Sequence, residues 1–401
     1  MSIPPVTGAQ LRNYHLAKQI SREIAVTCLA FRPAELKGPV EEMIPGSSAR
    51  IRYVPLAPGY SAGKLFRGLI GPDPVTVLNY TSAQMASELG RELDRERYEM
   101  VQVEGVHFAK YLPLIRSSGY PPSAVICDWH NIESELMYRY SERTSGWARR
   151  MYARRTAAQL EILERRVLAD CDLHLVVSEQ ARRTVLQKAP GASVRVIENG
   201  VDVAAFSDVG DERYRAQRNR ILYVGSMDYH ANIDAVRYFA NGAWKTIRRE
   251  MPAVTFTIVG RDPAPEVRSL ANLPGIEITG TVPEVQPYYR EALAVVVPLR
   301  IGSGTRLKIL EAMAAGVPVI SSTLGAEGLD AQPGVHFIQA DTEEAICRVI
   351  LALARDQSLW KQLVAGGRRL AETRYDWSII GHSLLEVYRS ILAQGRDARQ
   401  T

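Results

Sequence analysis

Cysteine is scarce in this chain: four residues in 401. Cys28 and Cys127 lie inside apolar strand-like runs, Cys171 just before one, and Cys347 within a helical pattern, none at metal-ligand spacing from another. That spacing excludes a disulfide framework and a structural zinc site, and it leaves four small buried hydrophobes. Long apolar runs are also lacking. None reaches the roughly 18 residues that a membrane-crossing helix needs. Biased repeats are absent too. The opening M-S-I-P-P-V-T-G-A-Q has no basic region followed by an apolar stretch, so it does not read as a signal peptide. These absences lead to an expectation of a cytoplasmic protein.

What is present is a globular composition, 46% hydrophobic and 23% charged. At this length two α/β domains of about 200 residues each are expected. Strand-like runs in the first half are Ile24 to Phe31, Arg50 to Leu56, Met100 to Glu104, Ser123 to Asp128 and Leu173 to Ser178, with Val194 to Asn199 closing the set. Helical patterns, such as Ser82 to Leu93 and Ser145 to Leu168, lie between them. The polar segment after Asn199-Gly200 has no periodic apolar face and reads as a domain boundary. The alternation then restarts with Arg220 to Gly225, Val254 to Gly260, Gly275 to Gly280, Ala294 to Pro298 and Val317 to Ser321. Apolar strands alternating with helices imply parallel sheets covered on both faces. One element is missing. Pro4, Pro5 and Gly8 come at once, followed by the helix L-R-N-Y-H-L-A-K-Q-I, with no strand before them. Loss of a central parallel strand would expose the core, so the recorded start is expected to be a late one.

The net charge is +5, and the stretch from Arg139 to Arg166, with eight arginines against three glutamates, accounts for an equal excess. This helical segment fits contact with an anionic membrane surface. It equally fits a solvated helix laced with Glu–Arg pairs. No nucleic-acid-binding module accompanies the charge.

The stretch most informative about chemistry is P-L-R-I-G-S-G-T-R-L-K-I-L-E-A-M-A-A-G-V-P-V-I, from Pro298 to Ile320. A buried strand runs into a turn at Gly302, Ser303 and Gly304, and a helix is expected from about Thr305 to Ala315. A glycine turn at a helix start aims unpaired N–H groups and the positive end of the helix dipole at one point, which suits phosphate. The N–H groups of Thr305, Arg306 and Leu307 would supply that field, with Arg306 and Lys308 adding charge. The plainer readings are a tight turn, a solvated Arg306 and a surface pair of Lys308 with Glu311. Glu311, two turns in, suits a carboxylate accepting two hydrogen bonds from a vicinal diol such as ribose. Strands also end directly in Gly225 and Gly260, at the carboxyl edge where open α/β sheets bind ligands.

Taken in order, these motifs resemble the large family-four group of retaining glycosyltransferases. The resemblance rests on P-P-V-T-G-A-Q-L-R-N-Y, D-W-H-N-I-E-S-E, V-V-S-E with V-I-E-N-G-V-D, Y-V-G-S-M-D-Y-H-A-N, I-V-G-R-D and I-L-E-A-M-A-A-G-V-P-V-I, which together cover nearly the whole chain. It implies the GT-B fold: two Rossmann-like domains facing across a cleft. The expected limits are 1–205 for the acceptor domain, 206–375 for the nucleotide-sugar donor domain, and 376–401 for a C-terminal helix crossing back to the first domain. It implies transfer of a sugar from a nucleotide-diphosphate donor to a glycan or lipid-linked acceptor in polysaccharide or glycoconjugate biosynthesis. No cofactor or metal is implied, since Asp128-Trp129-His130 is not the D-x-D pattern of metal-dependent transferases. The cytoplasmic expectation then extends to the inner face of a membrane.

The resemblance places His130 at the donor sugar, with Asp128 orienting it or capping the following helix. Glu133 and Glu135 read as helix-face residues. No obvious carboxylate nucleophile stands near His130, which favours a same-face mechanism without a covalent intermediate. Val282 matches the position where the family backbone meets the base, and Gly8 would let backbone approach a donor phosphate or the acceptor. Two departures stand out. The family pairs two glutamates across seven intervening residues; the second matches Glu311, but the first position holds Ser303. Many members also carry an arginine and a lysine after the first glycine, where this chain has Ser226 and Asn232. Arg306, Lys308 or Arg261 would then supply the cation. His230 reads as an exposed loop histidine, and Tyr14 and His15 as packing residues. The rival readings are a GT-B protein that binds a nucleotide sugar or a partner without turnover, and a sugar-nucleotide epimerase.

Overall fold

The computed structural model describes residues 3–33, 40–56, 61–144, 146–207, 209, 218–302 and 307–400. The chain forms two compact units, one made of Met1–Glu198 with Ile380–Thr401 and the other of Asn199–Ile379.

In the first unit, β1 (Thr27–Pro33) pairs parallel with β3 (Arg50–Leu56), and β2 (Glu41–Met43) pairs antiparallel with β3. A separate parallel sheet runs in the order β4 (Met100–Glu104), β5 (Ala124–Trp129), β6 (Leu173–Val176) and β7 (Val194–Val196). All six residues of β5 are buried, as a central strand covered on both faces requires. Among the described residues no strand precedes β1, and the edges of β1 and β4 pair with nothing. Burial pushes the Cys28 thiol on β1 up to about 12, and the charge of Glu104 adds to it. The helix Gly8–Ile20 is capped by Thr7, whose hydroxyl accepts from the Gln10 N–H.

The closing helix Trp377–Gln400 belongs to this unit from Ile380 onward. Gly381 allows close approach to the first helix, since a Cβ there would lie 2.4 Å from the Gln19 Cβ. The Tyr388 hydroxyl donates to Gln102 on β4.

The second unit is one six-stranded parallel sheet in the order β10 (Ile276–Gly280), β9 (Thr255–Val259), β8 (Arg220–Val224), β11 (Ala292–Val297), β12 (Val319–Ser321) and β13 (Ile338–Gln339). The unbroken apolar run A-L-A-V-V-V is wholly buried as β11. The short strands β2 and β13 carry too little pattern to be read in advance. The units change over at Glu198, ahead of position 205, because Val201 already belongs to the second: its N–H donates to the Tyr375 carbonyl at 2.7 Å and its carbonyl accepts from Trp377 at 3.2 Å. The same bonds keep residues up to Ile379 there.

Candidate active site

In the first unit the carboxyl ends of β4 and β5 carry a cluster of charges. Asp128, fully buried, takes a bidentate pair from Arg12: Nε to Oδ2 at 2.8 Å and Nη2 to Oδ1 at 3.0 Å. Arg12 Nη1 also donates to the Glu198 carbonyl at 2.9 Å. The fork geometry of arginine satisfies both carboxylate oxygens at once, which corrects the expectation for Asp128. It neither orients His130 nor caps the next helix; it anchors the first helix to the sheet.

The partner of His130 is Glu104, whose Oε2 lies 2.8 Å from the His130 Nε2. Burial alone would lower the His130 pKa, but the hydrogen bond to Glu104 and the charge of Asp128 outweigh it and the net shift is upward. Burial likewise pushes Glu104 up, yet the bond to His130 and that ring's charge bring it below the ordinary carboxylate value. In the amide orientation that satisfies both partners, Asn13 donates to Glu104 Oε2 at 3.0 Å. A carboxylate thus does stand beside His130, and the stated ground for a mechanism without one falls away. The sequence reading missed it because Glu104 ends a different strand, and only the parallel register of β4 and β5, Glu104 opposite Asp128, brings the two together.

Glu133 lies half-buried in the first turn of the helix Glu133–Arg143, and its pKa is raised to about 7, chiefly by burial. Ligand atoms of Glu104, Asp128 and His130 lie within 4.8 Å of one another, a spacing compatible with a cation. Both Asp128 oxygens are engaged by a guanidinium, however, so a metal ion would compete with a charge already there. Gly8 opens the first helix of this unit, and Tyr14 packs edge-on against His15 with ring centroids 5.1 Å apart.

In the second unit the cluster sits at the end of β8. Gly225 and Gly260 let two strand ends abut: a Cβ on Gly260 would fall 1.7 Å from the Gly225 carbonyl oxygen. A Cβ on Gly225 would fall 2.8 Å from Lys308 Nζ. Lys308, in the first turn of the helix Leu307–Ala314, donates to Asn232 Oδ1 at 2.9 Å and lies 4.0 Å from the Tyr223 ring centroid. Asn232 is held in turn by the Tyr223 hydroxyl at 2.7 Å and by its own bond to the Ser226 carbonyl at 2.8 Å. Arg261 Nε donates to Ser226 Oγ at 2.9 Å. Two of the three candidate cations therefore converge on the Gly225–Ser226 loop, and Lys308 is no mere surface partner of Glu311.

Glu311 lies further along the same helix and accepts from the Tyr289 hydroxyl at 2.9 Å. Burial raises its pKa, opposed by that bond and by the charge of Lys308. Tyr289, fully buried, joins the candidate site through this bond and was not found by sequence reasoning; the aromatic pair in Q-P-Y-Y-R was its only trace. His230 is the first residue of the helix His230–Asn241 and half-buried, not an exposed loop residue. Val282 packs, partly buried, against the core of this unit. Gly302 is described, with φ of 119° in the range that favours glycine. Ser303, Gly304, Thr305 and Arg306 lie outside the described residues, and the helix is described from Leu307.

Two α/β units with parallel sheets, each carrying polar clusters at strand carboxyl ends, define a GT-B architecture, and solved structures agree. Sucrose-phosphate synthase from Thermosynechococcus elongatus matches with a TM-score of 0.73 at 18% identity, over 97% of this chain and 94% of that one. HepE of Anabaena, crystallised with UDP and glucose, matches with a TM-score of 0.60 at 16% identity, over 96% of each chain. The profile described as Glycosyltransferase Family 4 matches residues 6–205, and that described as Glycosyl transferases group 1 matches residues 218–356. The chain belongs to these glycosyltransferases. Among curated relatives, the phosphatidyl-myo-inositol mannosyltransferase of Mycobacterium leprae is 28% identical over 55% of this chain and 60% of its own length. A glycogen synthase of Mycobacterium tuberculosis is 26% identical over 64% of this chain and 62% of its own.

Proposed function

We propose that this protein is a retaining glycosyltransferase that moves a sugar from a nucleotide-diphosphate donor to a glycan or lipid-linked acceptor, in polysaccharide or glycoconjugate biosynthesis. The observation that carries the reading is the convergence of Lys308 and Arg261 on the Gly225–Ser226 loop, with Glu311 on the Lys308 helix. Departure of a nucleoside diphosphate needs positive potential held in place before the bond breaks. Lys308, fixed by Asn232 and by the Tyr223 face, supplies it without a metal ion. Glu311, oriented by Tyr289, accepts the ribose hydroxyls. His130, held by Glu104, stabilises the reacting sugar, and Arg12 with Asp128 fixes the strand end that carries it. Val282 and residues 302–307 complete the proposed donor contacts, and Gly8 lets backbone approach a donor phosphate or the acceptor. The acceptor follows the two kinds of relative: one is named for a phosphatidylinositol lipid, the other for a glycan. No helix among the described residues is long and apolar enough to cross a membrane, so a lipid-linked acceptor would be met at the membrane surface, with the basic stretch from Arg139 to Arg166 toward it.

The substitution at Ser303 favours one rival: a protein of the same fold that binds nucleotide sugar without turnover. Thermal shift and slow donor hydrolysis with UDP-, GDP- and dTDP-sugars separate the two. A transferase shows stabilisation by one donor and measurable hydrolysis of it. His130→Ala should abolish the hydrolysis and spare the stabilisation, and Glu311→Ala should remove the stabilisation. Stabilisation by a donor with no hydrolysis or transfer would decide for the rival.

A further inference from the structure

Four large apolar side chains on the helix Ala62–Ile70 face solvent: Leu65, Phe66, Leu69 and Ile70, with Phe66 63% and Ile70 65% exposed. The residue this helix buries is Gly68, seated on Val75. A helix that shows its apolar side to water and packs through a glycine is unpartnered. The helix Trp147–Asp170 adds a second such surface. It buries Ala153, Thr156, Ala157 and Leu160, while Trp147 and Met151, one turn apart, lie exposed on the opposite side, Trp147 being 77% exposed. The two helices are neighbours: Gln159 Nε2 donates to the carbonyls of Gly68 at 3.0 Å and Gly71 at 2.8 Å.

Charge selects the partner. Residues 62–70 and 147–160 contain Lys64, Arg67, Arg149, Arg150, Arg154 and Arg155 and no aspartate or glutamate. Further along the basic stretch the pattern changes, with Arg165 bound to Glu161 at 3.2 Å. Exposed Phe, Leu, Ile and Trp ringed by arginine, with no acid among them, match the boundary between anionic headgroups and acyl chains. We infer that this two-helix patch docks the first unit on an anionic lipid surface, with the apolar helix Ala62–Ile70 as its main element. This deepens the lipid-linked acceptor reading and rests on it only for purpose; the docking stands or falls separately.

The test is co-sedimentation of the full chain with vesicles of phosphatidylcholine alone and of equal parts phosphatidylcholine and phosphatidylglycerol. Binding should appear with the anionic vesicles, weaken as salt is raised, and shift Trp147 emission to shorter wavelength, a change that Trp147→Phe removes. Phe66→Ser with Ile70→Ser should weaken partitioning at least roughly tenfold, since acyl-level burial of two large side chains is lost. Because both positions are exposed, the folded state and the donor thermal shift should be unchanged. Equal binding to both vesicle types, unchanged partitioning of the double variant, or a dimer in solution that the double variant dissolves would each overturn the inference. Donor hydrolysis without vesicle binding sinks the docking surface alone; vesicle binding without turnover of any donor sinks the transferase reading alone.

Discussion

The two strand-end clusters differ in how they handle charge. In the first unit the cation meets a carboxylate: Arg12 spans both oxygens of Asp128, and His130 faces Glu104. In the second unit the close hydrogen bonds of the cations go to neutral oxygens, Lys308 to Asn232 and Arg261 to Ser226, and the ion pair of Arg261 with Asp262 is longer, at 3.9 Å. The first arrangement is self-neutralising, so it fixes positions. The second gathers two cations beside a glycine loop, where the proposed transfer would need positive potential for a diphosphate.

The largest expected effect breaks the rigid side. Arg12→Ala leaves Asp128 charged and fully buried, and removal of one partner of a buried pair costs about 3–5 kcal/mol. Thermal unfolding should record that loss, while nucleotide binding by the second unit survives at temperatures where the protein remains folded. If both clusters served affinity alike, nucleotide binding would fall with it.

The next effect is on the other side. Glu311→Ala removes a charged acceptor, so nucleotide affinity should drop by roughly 10- to 100-fold, the equivalent of about 1.5–3 kcal/mol. Calorimetric titration with the preferred nucleoside diphosphate checks it. The same carboxyl gives a pH dependence. Its pKa is raised, so it becomes protonated at milder acidity than an ordinary glutamate, and the donor KM should rise as pH falls through that raised value. Glu311→Gln should flatten this acid limb.

Lys308→Met should weaken nucleoside diphosphate binding by roughly tenfold, about 1.4 kcal/mol, and weaken nucleoside monophosphate binding less. Equal losses for the two ligands would place Lys308 away from the outer phosphate.

The smallest effect sharpens the comparison. Glu104→Gln keeps the shape beside His130 and removes the charge, so kcat should fall several-fold with donor affinity unchanged. His130 is raised by Glu104, so its contribution to stability is present below the ordinary histidine pKa and lost as pH rises through the raised value. Glu104 is lowered, so its contribution is present above the ordinary carboxylate value and lost as pH falls through the depressed one. The charged pair holds between these limits. In Glu104→Gln the alkaline limb of kcat should move to lower pH, whereas a purely structural role for Glu104 would leave the limb where it is.

Much of the fold was legible because parallel strands announce themselves. V-I-C-D-W and A-V-V-V are runs that have no stable place except between two helical layers. Glu311 and the two strand-end glycines were legible for a similar reason: each is set by its own local stretch of chain. The partners of these residues were not. Glu104 and His130 are hydrogen-bonded across 26 positions, Tyr289 and Glu311 across 22, and Lys308 and Asn232 across 76. Nothing local in the sequence distinguishes such a glutamate, tyrosine or asparagine from others of its kind.

The sequence by itself therefore determined the sheet class, the glycines that end two of the strands, and the family, because hydrophobic period and glycine placement act within a few residues. Only the tertiary structure decided that Arg12 takes Asp128, that Glu104 holds His130, and that Lys308 reaches the Gly225 loop. Sheet register and helix packing choose those pairs, and they are set by burial of the whole core, not by any segment alone.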